Sequence, residues 1–382
     1  MSERVLITGA RAPAALDLAR SFHAAGFEVH MADCAPSRMA SFSRAVTKVH
    51  RFPSPRAAFK NFAAAMTKLI ANVDPTIVVP TCEEVFYLAA LGDERIFAPD
   101  LPTLRRLHSK HLFAREAAAL GLAVPETALV ESSAGLEPLL ADAANLVFKP
   151  DYSRFGTRTL VGPSREELKA VRFTGAGAWV AQRLVRGDEV SFYAVSSGSR
   201  LVAFSSYRSP WKFSRGAGYA FETLAEPVQS QLLGIAETLA QRLVPRGQFA
   251  CDVIIDADGT PWLLECNPRA TSGVHLFGRS AGLAEAMLGR REAPPLSPDD
   301  CAMHIGPALW TFGLPTALVR GRTREWIKRR RQSADVISTR HDAAPVVGAL
   351  IDAARLNFIG LSRGVSITAA STADIEWNGE AL

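Results

Sequence analysis

The feature that most constrains this chain is the alternation of short apolar runs with helical patterns over its first ~100 residues. Val5-Leu6-Ile7-Thr8 predicts a buried strand, and Leu16, Ala19 and Phe22 then recur at helical spacing before Gly26 closes a helix over residues 14–25. A second strand is expected at 28–33, a short third at 48–52, a helix at 59–70 and another buried strand at 76–80. Strands that alternate with helices in this way form a mostly parallel sheet with helices over its faces. At 382 residues the chain also exceeds one ordinary core, so about two or three domains are expected.

The pattern changes near Leu107. Ser109 can cap a helix that Gly121 ends, and strands are expected at 146–150 and 179–184, with a strand pair over 189–206. After a helix at about 228–243, residues 248–255 and 261–265 form a hairpin whose turn is signalled by Asp258-Gly259. A proline-rich stretch at 293–298 reads as a linker into a C-terminal segment. The domains expected are therefore 1–106, 107–292 with a hinge near 182–189, and 293–382.

Several classes are excluded or disfavoured. The net charge of +5 is too small over this length to imply nucleic acid, though it suits anionic ligands. No run of about 18 apolar residues predicts a membrane span, and no apolar leader precedes the first strand. Five widely spaced cysteines without a CxxC pair argue for a reducing cytoplasm and against a disulfide frame or zinc site.

The hairpin carries the chemistry. Asp252 and Glu265 can face the same side across an antiparallel ladder, and Asn267 keeps that side two residues later. Two carboxylates and a carboxamide offer the partial shell of hard oxygens that magnesium takes when phosphates and water complete it. Arg269, after the stiffening Pro268, adds a positive charge aimed at the same place.

Phe249-Ala250-Cys251-Asp252, Asp258-Gly259 and Leu264-Glu265-Cys266-Asn267-Pro268-Arg269 together resemble the metal-binding hairpin of the ATP-grasp superfamily, particularly its carbamoyl-phosphate-synthase-like branch. The resemblance covers about residues 1–290. It implies an α/β and α+β chain: an ATP-grasp fold of two lobes with ATP between them, preceded by a Rossmann-like parallel-sheet domain that uses no nicotinamide cofactor. Consistently, Gly9-Ala10-Arg11-Ala12-Pro13-Ala14 lacks the second and third glycines of a dinucleotide fingerprint. The resemblance further implies two magnesium ions, with manganese as a substitute, held by Asp252, Glu265 and Asn267, and Arg269 beside the transferred phosphate. Lys149 and Lys110 match the family's basic positions on ATP. Residues 151–158, with Ser153, Gly156 and Thr157, occupy its phosphate lid, but Gly156 is the only glycine and Arg154 and Arg158 are bulky. Gln182, Arg183 and Leu184 resemble the hinge whose backbone reads adenine, and Glu189 the acceptor for ribose hydroxyls.

The function implied is an ATP-dependent ligase that joins a carboxylate to an amine through an acyl phosphate, with small-molecule partners. Bicarbonate or carbamate phosphorylation, and a nucleotide-binding regulatory protein without turnover, are the alternatives. Arg208, Lys212 and Arg215, read as a loop over 205–219, are candidates to hold the carboxylate substrate, with Arg154 and His275 beside them. Residues 320–331 hold seven Lys or Arg in twelve and read most simply as a solvated helix face around Trp326, with a partner or acidic-lipid contact as the second reading. For the C-terminal segment two roles stay open, capping the substrate pocket or forming a homodimer contact.

Overall fold

The computed structural model describes residues 2–153, 158–171, 177–213, 217–293 and 302–382. Its first sheet is parallel throughout, in the order β3 (Lys48–Arg51), β2 (Glu28–Asp33), β1 (Arg4–Thr8), β4 (Ile77–Val79). Its central strands are buried on both faces, which is why they read as near-continuous apolar runs. Val5, Ile7, Val29 and Met31 face the helix Pro13–Ala24, while Leu6 and Val78 face the helix Phe59–Val73.

A second, antiparallel sheet has the order β5 (Thr127–Val130), β8 (Trp179–Arg183), β6 (Leu146–Pro150), β7 (Leu160–Val161). Phe148 and Ala181 point into its own small core with Leu136 and Leu168, so Lys149 and Gln182 take the opposite face. The third sheet is the largest. Its order is β13 (Pro261–Asn267), β12 (Arg246–Ile255), β9 (Asp188–Ser197), β10 (Arg200–Lys212), β11 (Gly218–Thr223), β14 (Ala302–His304), β15 (Ala334–Asp335). One face packs Phe192, Phe204, Phe249 and Cys251 under the helices Lys110–Ala119 and Val228–Arg242. The other shares a core with the first sheet through Tyr193, Val195 and Ala250.

One sequence expectation changes here. Most of the stretch 205–219 is strand: β10 runs on to Lys212 and β11 begins at Gly218, with residues 214–216 outside the described residues. Pro210 sits where the β10–β11 register shifts between Arg208 and Trp211, a bulge that tolerates a residue without an N–H. The helix Pro345–Arg363 also has the length and composition of a membrane-crossing helix, although Asp352 and Arg355 interrupt its apolar run. It lies along the helix Arg38–Ser41 through Gly348, whose added Cβ would fall 2.4 Å from the Arg38 backbone, and through Asp352, which accepts from the Met39 N–H at 3.0 Å.

The chain's last residues return to the first sheet. The Arg11 guanidinium joins Asp33 at the end of β2 to Asp374, and Ser54 and Tyr87 donate to the carbonyls of Asp374 and Glu376. Trp377 is buried, stacked on Phe86 at 4.5 Å and edge-on to Tyr152 at 5.1 Å. Residues 294–301, which include most of the predicted linker and Cys301, lie outside the described residues.

Candidate active site

The hairpin β12–β13 forms around its turn. Asp256 Oδ1 accepts from the N–H groups of Asp258 and Thr260, its Oδ2 from Trp262 Nε1, and Gly259 supplies a φ of +80°. That turn fixes a register in which Asp252 lies opposite Glu265 and Ala250 opposite Asn267, so the two carboxylates and the carboxamide share one face. Leu264 is the extra residue of a bulge between these pairs and Val253–Leu263. Its carbonyl accepts from Lys149 Nζ at 3.5 Å and from Gln182 Nε2 at 3.4 Å, so the bulge ties the third sheet to the second.

Two lysines converge on Glu265. Lys149 Nζ lies 3.4 Å from its Oε2 and Lys110 Nζ 3.7 Å. Lys110 is not the solvated first-turn residue its position would suggest, for only 2% of its side chain is exposed. Its ammonium donates to the carbonyls of Asp151 at 3.2 Å and Ser153 at 3.4 Å. Asp151 braces the same helix start: its carboxylate accepts from Ser109 Oγ and from the His111 N–H, while Ser109 caps the Leu112 N–H. Carboxylates near a helix N-terminus offset the dipole that disfavours Lys110 there.

The electrostatics are lopsided. Burial, then the facing Glu265 charge, raise the Asp252 carboxyl to about 6 despite the hydrogen bond from Ser191 Oγ at 2.8 Å. Burial would raise Glu265 as well, but Lys110 and Lys149 outweigh it and hold that carboxyl down at about 2. Burial pulls the Lys110 ammonium down while Glu265 opposes it. The cluster thus has its cations on the Glu265 side and an under-compensated carboxylate on the Asp252 side. Arg269 donates to Asn267 Oδ1 and to the Ala270 carbonyl, both at 3.0 Å, which fixes its guanidinium at the exit of β13.

The remaining candidates fall into three groups. Gln182 is buried and joins the cluster through Leu264, with a second bond to Thr127 Oγ1 at 3.0 Å. Ser153 stays beside Lys110, its hydroxyl donating to the Pro150 carbonyl at 3.3 Å. Arg183 ends β8 and Leu184 follows it, but their N–H groups already donate to the carbonyls of Glu126 and Asn145, each at 2.8 Å. A backbone contact to adenine at these two residues, as the resemblance implies, would therefore run through their carbonyl oxygens. Glu189 shares a face with Ser191 and Asp252 and pairs with Lys212, beside a cleft of about 580 Å³ that Gly187, Arg208 and Leu224 also line.

Other candidates are placed elsewhere. His275 does not join the cluster. It is buried, with Nδ1 2.8 Å from Asp17 of the first long helix, in a network that continues through Arg20 to Asp342. Arg208, which lines the Glu189 cleft, pairs with Glu222 across the β10–β11 ladder at 2.9 Å. Arg154, Gly156, Thr157 and Arg215 lie outside the described residues. Conversely, Ser191, Asp151 and Tyr207 were missed. Burial and the Asp252 charge raise the Tyr207 phenol to about 12, and Ser191, Thr271 and Arg269 surround it. Ser191 was legible two residues after Glu189, on one face of a strand; Tyr207 was hidden in the supposed loop.

Magnesium fits this donor set in a particular way. Among the described residues no three His, Cys, Asp or Glu side chains gather into a complete cage. Two facing carboxylates, one of them short of cationic compensation, offer the incomplete oxygen shell that suits a magnesium ion carried in with phosphates.

Residues 107–273 match the family model of an ATP-grasp domain. No curated protein matches the sequence. Among solved structures, an L-amino acid ligase from Bacillus licheniformis is similar with a TM-score of 0.60 and 16% identity over 78% of both chains. A phosphoribosylamine–glycine ligase from Thermotoga maritima has a TM-score of 0.58 and 19% identity, over 77% of this chain and 78% of that one. An N5-carboxyaminoimidazole synthetase from Staphylococcus aureus, complexed with ADP, has a TM-score of 0.66 and 12% identity, over 83% of this chain and 86% of that one. At such identities the structural likeness speaks for the fold alone, and residues 107–273 are similar to an ATP-grasp domain.

Proposed function

We propose that the protein is an ATP-dependent carboxylate–amine ligase that forms an amide or peptide bond and releases ADP and phosphate. The observation that carries this reading is the in-register Asp252–Glu265 pair with Lys149 and Lys110 on one flank and Arg269 on the other. Such a cluster can hold a polyphosphate and neutralise charge on it, and it holds no side chain poised as a nucleophile.

A carboxylate is a poor electrophile because hydroxide is a poor leaving group. Attack by a carboxylate oxygen on the γ-phosphorus of ATP breaks the bond to ADP and gives an acyl phosphate. Attack by the amine nitrogen on the acyl carbon then expels inorganic phosphate, and the amine proton passes to solvent or to that phosphate. The protein's contribution is alignment and charge neutralisation. Lys149 and Lys110 hold the phosphate oxygens, and Arg269 faces the charge that develops on the phosphoryl group and on the acyl oxygen. Asp252, Glu265 and Asn267 would hold magnesium, which supplies further charge neutralisation when bound. Glu189 is assigned to the ribose and Gln182 to the adenine end. The absence of a disulfide among the described residues fits a cytoplasmic setting.

The test is ADP and phosphate release by purified protein with magnesium and ATP over a panel of amino acids and amines. Hydroxylamine serves as a trapping nucleophile that turns an acyl phosphate into a hydroxamate. ADP formation that requires both an acid and an amine is expected. Release that requires bicarbonate in place of an organic acid would favour the carboxylating reading, the one the synthetase likeness suggests. Tight ATP binding with no acid- or amine-dependent ADP would sink the ligase proposal.

A further inference from the structure

The C-terminal segment contains a surface that the ATP site does not use. The helix Leu314–Val319 ends in two protruding aliphatic side chains, Leu318 at 62% and Val319 at 87% exposure, with Trp310 and Phe312 each about half exposed beside them. Side chains of this kind belong in a core, and here the core beneath is already filled by Trp211, Tyr219, Leu309 and Trp326. Immediately after the tip, residues 320–331 bring seven Lys or Arg against one carboxylate, Glu325. Ion pairs among the described residues engage two of the seven, Arg322 with Glu325 and Arg329 with Glu222. Arg324, Lys328, Arg330 and Arg331 are exposed on the helix Thr323–Gln332, around Ile327.

We propose that this tip and its cationic collar form a peripheral attachment surface for an anionic lipid bilayer. Leu318, Val319, Trp310 and Phe312 enter the boundary between headgroups and acyl chains, and the collar meets lipid phosphates. The chemistry selects this occupant over two others. A second copy of the chain docking here by two-fold symmetry would place one cationic collar against the other. A nucleic acid would use the cations but would have no use for an aliphatic tip. An apolar wedge ringed by Lys and Arg matches the depth profile of an anionic membrane surface. This inference stands apart from the ligase reading.

The test is co-sedimentation of the full chain with vesicles of phosphatidylcholine alone and with phosphatidylglycerol added. Binding to the anionic vesicles should be at least about tenfold stronger, and should weaken as salt is raised. The double variant Leu318→Glu/Val319→Glu and the triple variant Arg324→Glu/Lys328→Glu/Arg331→Glu should each lose about tenfold or more of it. Both should keep the parent's thermal melt and ATP binding, since neither touches the nucleotide cluster. No binding to anionic vesicles at low salt would overturn the proposal. So would loss with the charge variant alone, which marks mere surface attraction or nucleic-acid binding. A Leu318→Glu/Val319→Glu change that only converts a dimer to a monomer would overturn it too.

Discussion

The substitution Asp252→Asn should stabilise the metal-free, nucleotide-free protein while destroying its response to magnesium and ATP. Moving a carboxyl from its ordinary 3.8 to about 6 corresponds to about 3 kcal/mol at a pH above both values. The side chain is only partly buried, so about 1–2 kcal/mol of net gain is expected at pH 8. The sign follows from linkage. Below 3.8 the group is protonated in folded and unfolded chains alike, and the folded protein has no charge to accommodate. As pH rises through about 6 the folded site is forced to ionise, and the wild type loses stability that the variant keeps. The gain should therefore be full at pH 8 and roughly half as large at pH 5. Differential scanning fluorimetry should show the variant melting about 2–5 °C higher at pH 8 without ligand. With magnesium and ATP the order should invert, because binding to the native state raises the wild type alone. A gain equal at both pH values, or a variant less stable at pH 8, would refute the account of Asp252 as a carboxylate held in readiness for a cation.

The opposite sign is expected at the facing residue. Glu265→Gln strands Lys110 and Lys149 and should lower the melting temperature near neutral pH, an effect that fades as pH falls toward about 2; it should also cut ADP formation at least about a hundredfold while nucleotide binding, followed by calorimetry, stays measurable. Trp377→Ala empties a stack between Phe86 and Tyr152 and should cost about 3–5 kcal/mol in chemical denaturation. Because Tyr152 adjoins Asp151, which holds Lys110, the KM for ATP should rise in that variant more than kcat falls. Gly348→Leu cannot fit against the Arg38 backbone, so hydrogen exchange over residues 345–363 should accelerate while β12 and β13 stay protected.

What was legible in the sequence was local. Ser109 capping Leu112, the Asp258-Gly259 turn and the two-residue alternation of the hairpin each decide their geometry over a few residues, and the Asp252–Glu265 pairing follows from them. The stretch 205–219 reads as a loop, whereas a bulge between Arg208 and Trp211 lets the strand run on past Pro210. His275 misled for a different reason. Its partner Asp17 is 258 positions away, and no local pattern announces a buried ion pair between segments so distant. Lys110 lay between these cases: its type and place were readable, yet its burial depends on Asp151 folding back over the helix start.

The alternation along β12 and β13 carries one more consequence. Cys251 and Cys266 face each other across the same ladder, one step from Asp252 and Glu265, but on the side that packs under the helix Val228–Arg242. The hairpin is thus a thin plate with the facing carboxylates on one surface and hydrophobic packing on the other. Enlarging either thiol would press on the plate from behind and alter the gap between the carboxylates without touching any ligand. On the proposed metal-binding reading, variation among apolar residues of that rear layer would tune metal affinity at a distance, and the strength of the response would measure how stiff the plate is.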